Sequence, residues 1–138
     1  MPRLAGVNLL GLLLAGIAIF MVGGIWFGAL FSEMWQTANG YTEAELIAND
    51  VPAITWGGGL LIPLILSFGI GWLIKETGTK GLVPCMVFGA KLAILFAAPI
   101  LAYSFVYNVT HSTTDLLLDV GHSFVGFILG AAVLSFFD

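Results

Sequence analysis

Long apolar runs alternate with short polar segments along the whole chain. Four of these runs, at about 4–31, 53–74, 82–107 and 116–137, are long enough to cross a bilayer. An α-helix needs roughly 20 apolar residues to cross about 30 Å of hydrocarbon. Since the hydrocarbon offers no water to bond the backbone, we predict that each run forms a transmembrane helix.

The connection between the first two runs is the longest polar segment, at about 32–52. Within it, Thr42 is followed three residues later by Glu45, a spacing typical of a capping box at a helix start. A short acidic helix from Glu43 to about Asn49 is therefore expected. The other two connections are short, which makes consecutive spans antiparallel neighbours.

Composition supports one integral membrane domain over residues 1–138. The chain is 59% hydrophobic and 9% charged, whereas a soluble domain carries about 25% charged residues. We therefore predict an all-α membrane protein, with four transmembrane helices in an antiparallel bundle and the short acidic helix in the first outer loop. With only 4 Lys and Arg residues, no surface for nucleic acid is expected. The one cysteine, Cys85, excludes an intrachain disulfide.

The positive charges predict an orientation. Arg3, Lys75 and Lys80 fall on one side of the membrane once the four runs are threaded, and most acidic residues fall on the other. The positive-inside rule places both termini and the 75–80 connection in the cytoplasm, in a multi-pass protein of the cell's inner membrane. The first run is too long for a typical signal peptide, so we expect it to remain as a span.

Two pairs of glycines have the spacing of helix-packing motifs: Gly24 with Gly28, and Gly126 with Gly130. Small residues four apart let helix backbones approach closely in lipid. The motifs serve either oligomerisation or packing within the four-helix unit, and we favour packing within the unit.

Polar side chains at membrane depth are costly, so each is a candidate for function. Lys91, Asp119, His122 and Asn8 form this candidate intramembrane set. The spacing of Asp115, Asp119, His122 and Gly126 places them on one helical face. One interpretation is a proton or ion relay that uses His122. The other is structural, with His122 bonded to a neighbouring helix.

Lys91 lies near the middle of the third predicted span. It would pair with an acid across the bundle, snorkel toward the cytoplasm, or meet an acidic group of another subunit or of a lipid. Asp119 is the nearest candidate acid. Its depth matches poorly, since at 1.5 Å per residue Lys91 lies about 24 Å below the outer end of its helix and Asp119 only about 5 Å.

Aromatic side chains cluster where spans should meet the headgroups. Tryptophan and tyrosine are enriched at both membrane interfaces. We expect such an interfacial anchor at Trp26, Phe27, Phe31, Trp35, Trp56 and Trp72. A ligand pocket beneath the acidic loop is the alternative role for the stretch from Trp26 to Trp35.

The first fifty residues resemble a known family. The resemblance rests on Val7-Asn8, on Gly-Ile-Trp-Phe-Gly-Ala-Leu-Phe at 24–31, on Trp35, and on Gly40-Tyr41-Thr42 with Glu45. This pattern is similar to the domain-of-unknown-function 1761 family of small membrane proteins, although Phe27 replaces the usual Tyr and Ala29 the usual Pro. The stretch 119–122 resembles a second family segment, with its aromatic missing and its His shifted by one place. The resemblance implies four helices and no established activity.

No nucleophile motif, nucleotide-binding loop or metal-ligand set is present in the sequence. We therefore predict a non-enzymatic protein without metal or cofactor, whose partners are the lipid bilayer and either itself or a larger membrane protein complex. Helix association, as a homo-oligomer or an accessory subunit, is the expected role. One alternative is a small proton, ion or solute transporter using Asp119, His122 and Lys91. A second is a lipid- or cofactor-binding membrane protein.

Overall fold

Residues 1–137 are described in a computed structural model, in which most of the chain is helical. In chain order the elements are β1 (Arg3–Leu4), β2 (Val7–Asn8), α1 (Leu9–Ile25), α2 (Ser32–Asn39), α3 (Glu43–Ala48), α4 (Gly59–Glu76), α5 (Leu82–Leu92), α6 (Ala98–Tyr107) and α7 (Thr113–Ser135). Three π-helical turns, Trp26–Leu30, Ala53–Gly58 and Ala93–Ala97, extend α1, lead into α4 and join α5 to α6.

Four helical stretches are long and apolar enough to cross a membrane: Leu9–Leu30, Ala53–Glu76, Leu82–Tyr107 and Thr113–Ser135. The prediction of an all-α protein with four such helices is confirmed. The chain is thus a multi-pass membrane protein. Its first helix begins five residues later than the apolar run suggests, and its last begins three residues earlier.

A short hairpin replaces the predicted start of the first helix. Strands β1 and β2 pair in antiparallel register around Ala5 and Gly6, whose φ angles are 47° and 83°. Positive φ at both central residues is the geometry of a type I′ turn. The Asn8 side chain then accepts bonds from the amides of Leu10 and Gly11, at 3.0 and 3.2 Å. Asn8 therefore caps α1 rather than lying within the span.

The outer loop contains the predicted acidic helix and one more. At α3, the Glu45 amide donates to the Thr42 hydroxyl at 3.2 Å, and the Thr42 amide donates to the Glu45 carboxylate at 3.0 Å. The capping box is confirmed. Helix α2 was not predicted from this polar segment. It ends at Gly40, whose φ of 70° gives the left-handed cap that commonly stops a helix.

Helix α7 packs against both α1 and α5, and α1 also packs against α4. The core that these helices share consists of Val7, Leu12, Ala15, Ile19, Ile70, Ile74, Cys85, Ala131 and Leu134. One buried polar contact crosses it: the Ser67 hydroxyl on α4 donates to the Leu12 carbonyl on α1 at 2.6 Å. A hydroxyl in such a place needs this bond, because an unpaired one costs several kcal/mol in hydrocarbon.

Glycine sets the distance between packed helices. A Cβ on Gly89 of α5 would lie 2.5 Å from the Phe127 carbonyl oxygen of α7, and one on Gly130 would lie 2.8 Å from Ile19 of α1. A Cβ on Gly126 would lie 3.6 Å from the same isoleucine. The Gly126 and Gly130 pair therefore packs within the bundle.

Two of the three π-helical turns lie shortly before a proline of the same span, Pro63 in the second span and Pro99 in the third. Ala53–Gly58 is separated from Pro63 by less than two turns, and Ala93–Ala97 ends two residues before Pro99. Proline has no backbone N–H to donate, and its ring clashes with the carbonyl four residues before it, so one helical hydrogen bond is lost. A widened turn is one way in which a helix accommodates that loss.

Replacing Gly89 by alanine should lower the stability of the bundle. The added methyl group meets the backbone of α7, which cannot move aside as a side chain does, at a cost of about 1–3 kcal/mol. Gly69→Ala is the matched control, because nothing lies within 4 Å of its Cβ position; it should be neutral or stabilising by up to about 1 kcal/mol. Unfolding in mixed detergent–SDS micelles measures both, and equal stability of the two variants would contradict the packing described.

Acid should open the α3 capping box. The Thr42 amide, and then the Thr42 hydroxyl, lower the pKa of the Glu45 carboxyl below its usual 4.5. Because the folded pKa is depressed, the box contributes stability above pH 4.5 that is lost as the pH falls through the folded value. In an NMR titration the Glu45 carboxyl and the Thr42 amide should move together, with a midpoint below 4.5 that rises in Thr42→Ala. A midpoint at or above 4.5 in the unmodified chain would refute the expectation.

Candidate functional site

Two of the four predicted intramembrane polar residues, Asp119 and His122, lie toward one end of the bundle. We call it the acidic end, since it carries α2, α3 and Asp115. The opposite end, with Arg3, Lys75 and Lys80, is called the basic end. At the acidic end α1 and its π-helical turn meet the first half of α7, and α2 covers the junction. Most of the predicted site residues lie here.

Trp26 joins α1 to α7 by a specific contact. Its indole N–H donates to the Leu118 carbonyl at 3.0 Å. The ring lies over Gly121, where a Cβ would come within 2.8 Å of it. It also contacts Phe31, with ring centroids 4.7 Å apart. Gly121 is thus the residue that makes room for Trp26, a role that the sequence pattern did not reveal.

His122 lies on the α1 side of α7. Its Nε2 is 3.2 Å from the position that a Cβ on Gly23 would occupy, and its ring packs on Phe27 with centroids 5.0 Å apart. Phe27 in turn contacts Trp35 at 5.9 Å, and Trp35 contacts Tyr41 at 5.4 Å. The histidine therefore ends a chain of aromatic rings that leads to the outer loop.

Asp115 and Asp119 lie against helices other than α1. The Asn39 amide on α2 donates to Asp115 at 2.8 Å. Asp119 lines a small cleft between α6 and α7 together with Ser104 and Asn108. The cleft offers about 10 Å³, which is the space of one water molecule. Asp119 and His122, which share one helical face in the sequence pattern, thus lie against different helices.

Lys91 is not part of this site. Gly89, two residues before it, packs on α7, and two residues turn a helix by about 200°. Lys91 is accordingly exposed on the outer surface of α5. Within residues 1–137 no hydrogen bond or ion pair joins it to another side chain.

The predicted anchor residues divide into two groups. Trp26, Phe27, Phe31 and Trp35 form the half-buried aromatic cluster at the acidic end. Trp56 is 65% exposed and touches Phe20, with centroids 6.2 Å apart. Trp72 is exposed near the basic end and stacks on Phe68.

An open cleft of about 840 Å³ lies beneath the outer loop. Its walls combine aromatic, amide and carboxylate side chains: Trp35, Asn39, Tyr41, Glu45, Asn49, Asp50 and Thr55. Both of its carboxylates already accept a hydrogen bond: Asp50 from the Thr55 hydroxyl at 2.8 Å, and Glu45 from the Thr42 amide at 3.0 Å. In the part of the chain that the structure describes, no three His, Cys, Asp or Glu residues are grouped to hold a metal ion.

The contact between Asn39 and Asp115 should hold α2 on the bundle. In a double-mutant cycle, Asn39→Ala and Asp115→Ala should show a coupling of about 1 kcal/mol, since the bond has one charged partner and is partly exposed. Either variant should also speed amide exchange in Ser32–Asn39. Asn49→Ala is the control, because its side chain bonds only to Glu45 within its own turn. The contact does not dock α2 if the two substitutions have additive effects on stability. The same conclusion follows if Asn49→Ala speeds amide exchange in Ser32–Asn39 as much as they do.

Comparison with known proteins gives a family and no activity. Neither the curated proteins nor the solved structures contain a match to this chain. A family model described as "Protein of unknown function (DUF1761)" matches residues 10–135, which include all four membrane-spanning helices except the first residue of the first. The chain therefore belongs to the DUF1761 family of proteins of unknown function.

Proposed function

We propose that this protein acts by helix association in the membrane, as a homo-oligomer or as an accessory subunit of a larger membrane complex. The observation that carries the proposal is the position of Gly24 and Gly28 on the first span. Both are exposed, and a Cβ on either would meet nothing within 4 Å. Such a pair permits close helix approach in lipid, and within the described residues no helix of the bundle occupies it.

The rest of α1 extends this surface. Leu10, Leu14, Ile17 and Met21 are each 41–53% exposed, and the glycine pair continues their alternating spacing of four and three residues. That spacing produces a seam that winds slowly around the helix, and a second helix can follow it in a left-handed supercoil. We call this seam, with Gly24 and Gly28, the outer α1 face.

The outward position of Lys91 supports the same proposal. A lysine near the centre of a span costs about 2.5–3.5 kcal/mol on insertion scales. A polar or acidic group from a partner subunit would offset part of that cost. No described residue of this chain supplies such a group.

The proposal includes an orientation. The basic end carries Arg3, Lys75 and Lys80, whereas no Lys or Arg occurs at the acidic end. The positive-inside rule assigns the basic end, with both termini, to the cytoplasmic side of a cell inner membrane.

A transport function that uses Asp119, His122 and Lys91 has less support from the structure. Asp119 lines the cleft beside α6, His122 packs against α1, and Lys91 faces outward from α5. A relay requires groups within hydrogen-bond reach of one another or of shared water. Ligand binding is favoured by one observation, the open cleft of about 840 Å³ beneath the outer loop.

The proposal predicts that bulk on the outer α1 face weakens association. Gly28→Leu should reduce the association constant at least about fivefold, since overpacking costs about 1 kcal/mol or more. The readout is cysteine cross-linking in native membranes from Met21→Cys, which is 53% exposed on that face. The native Cys85 is fully buried, so it does not contribute to the cross-linking.

Two controls make the result specific. Gly69→Leu adds the same bulk at an open glycine of α4 and should leave cross-linking unchanged. Ile65→Cys, 59% exposed on α4, should cross-link weakly. Absence of any cross-linked species from Met21→Cys, or equal yields with and without Gly28→Leu, would refute association through this face.

A further inference from the structure

A cationic cleft lies at the basic end, where the N-terminal hairpin meets the connection between α4 and α5. It measures about 280 Å³. Three cationic side chains line it, Arg3, Lys75 and Lys80, together with Ile74, Gly78 and Thr79. These are three of the four Lys and Arg residues in the whole chain.

The hairpin brings two of these cations to one atom. Arg3 and Lys75 both donate to the Gly6 carbonyl, each at 2.9 Å. Their charged nitrogens are therefore no further apart than twice that length. Gly6 lies in the turn of the hairpin, and Val7 fixes the hairpin by packing on Gly71 of α4.

The charge of the cleft is not neutralised by the described part of the chain. No carboxylate within residues 1–137 forms an ion pair with Arg3, Lys75 or Lys80. Glu76, the acidic residue that the structure describes at this end, does not line the cleft. Like charges held this close repel one another unless an anion lies between them. An anion bound in the cleft would relieve this repulsion.

The position of the cleft indicates where such an anion would come from. It lies where α4 ends at Glu76 and α5 begins at Leu82, and we expect the two spans to leave the hydrocarbon at this level because their apolar helices end there. Trp72, one turn before the end of α4, is exposed as an interfacial tryptophan would be. At this level the abundant anion is the phosphate of a lipid headgroup.

We propose that the cleft binds the phosphate of an anionic phospholipid headgroup, held by Arg3, Lys75 and Lys80. The planar guanidinium of Arg3 donates to two phosphate oxygens at once. The two lysines add charge without a fixed geometry. Basic pockets between transmembrane helices hold anionic headgroups by this chemistry. The bound lipid's chains then lie along the exposed surface of the bundle. This proposal is independent of association through the outer α1 face.

The test measures lipid binding to the full chain in detergent by native mass spectrometry. Phosphatidylglycerol, phosphatidylcholine and inorganic phosphate are titrated separately. Phosphatidylglycerol should bind at least about fivefold more tightly than phosphatidylcholine. Each cation near the headgroup is worth about a factor of five, so Lys80→Met should lose about that much and Lys75→Met/Lys80→Met more than tenfold.

Lys91→Met is the matched control, because it removes the same charge from a residue that does not line the cleft. Lys75→Met removes a hydrogen bond to Gly6, so it could weaken binding by loosening the hairpin. Lys80 makes no hydrogen bond within residues 1–137, so Lys80→Met tests the charge alone. Equal binding of the two lipids, or equal losses for Lys80→Met and Lys91→Met, would overturn the proposal. Displacement of phosphatidylglycerol by millimolar inorganic phosphate would overturn the assignment to a lipid.

Discussion

Apolar side chains gain little by leaving lipid for the interior of a helical bundle, so close packing and buried hydrogen bonds must hold the helices together. In this chain the packing is made at glycines. Gly89 lies against the backbone of α7, Gly130 against Ile19, and Gly121 under the ring of Trp26. Two hydrogen bonds, from Ser67 to Leu12 and from Trp26 to Leu118, join α1 to its two neighbours. The positions of the polar side chains follow from these contacts, because they fix which face of each helix turns inward.

The sequence alone was sufficient to predict the features that depend on a local pattern of residues. Run length determined the four spans, and the Thr42–Glu45 spacing determined the start of α3. It did not determine α2, because a polar segment of 32–52 has no apolar periodicity that separates a helix from a loop. Nor did it reveal the hairpin, since Ala5 at positive φ is unusual for a residue with a side chain.

The candidate site shows more clearly what the periodicity of a sequence cannot predict. A shared helical face, as for Asp119 and His122, says only that two side chains point within about 60° of one another. On α7 that angle is enough to send them to different helices, Asp119 beside α6 and His122 against α1. The two glycine pairs also have different surroundings, although their spacing is the same. Gly126 and Gly130 face α1, whereas Gly24 and Gly28 face outward. Periodicity groups residues, but the rotation of a helix against its neighbours decides what each group meets.

Lys91 shows why a charged residue within a span need not mark a pathway. It lies nine residues after the start of α5, about 14 Å along the helix. Helical side chains lean toward the helix N-terminus, and the N-terminus of α5 is at the basic end. The aliphatic stem of Lys91 therefore carries its ammonium toward the headgroups of that end. This direction lowers the cost of the outward position without a buried acid. The leaning of the side chain offsets part of the cost of a lysine at this depth, and a polar group of a partner subunit would offset more; neither requires a relay across the bundle.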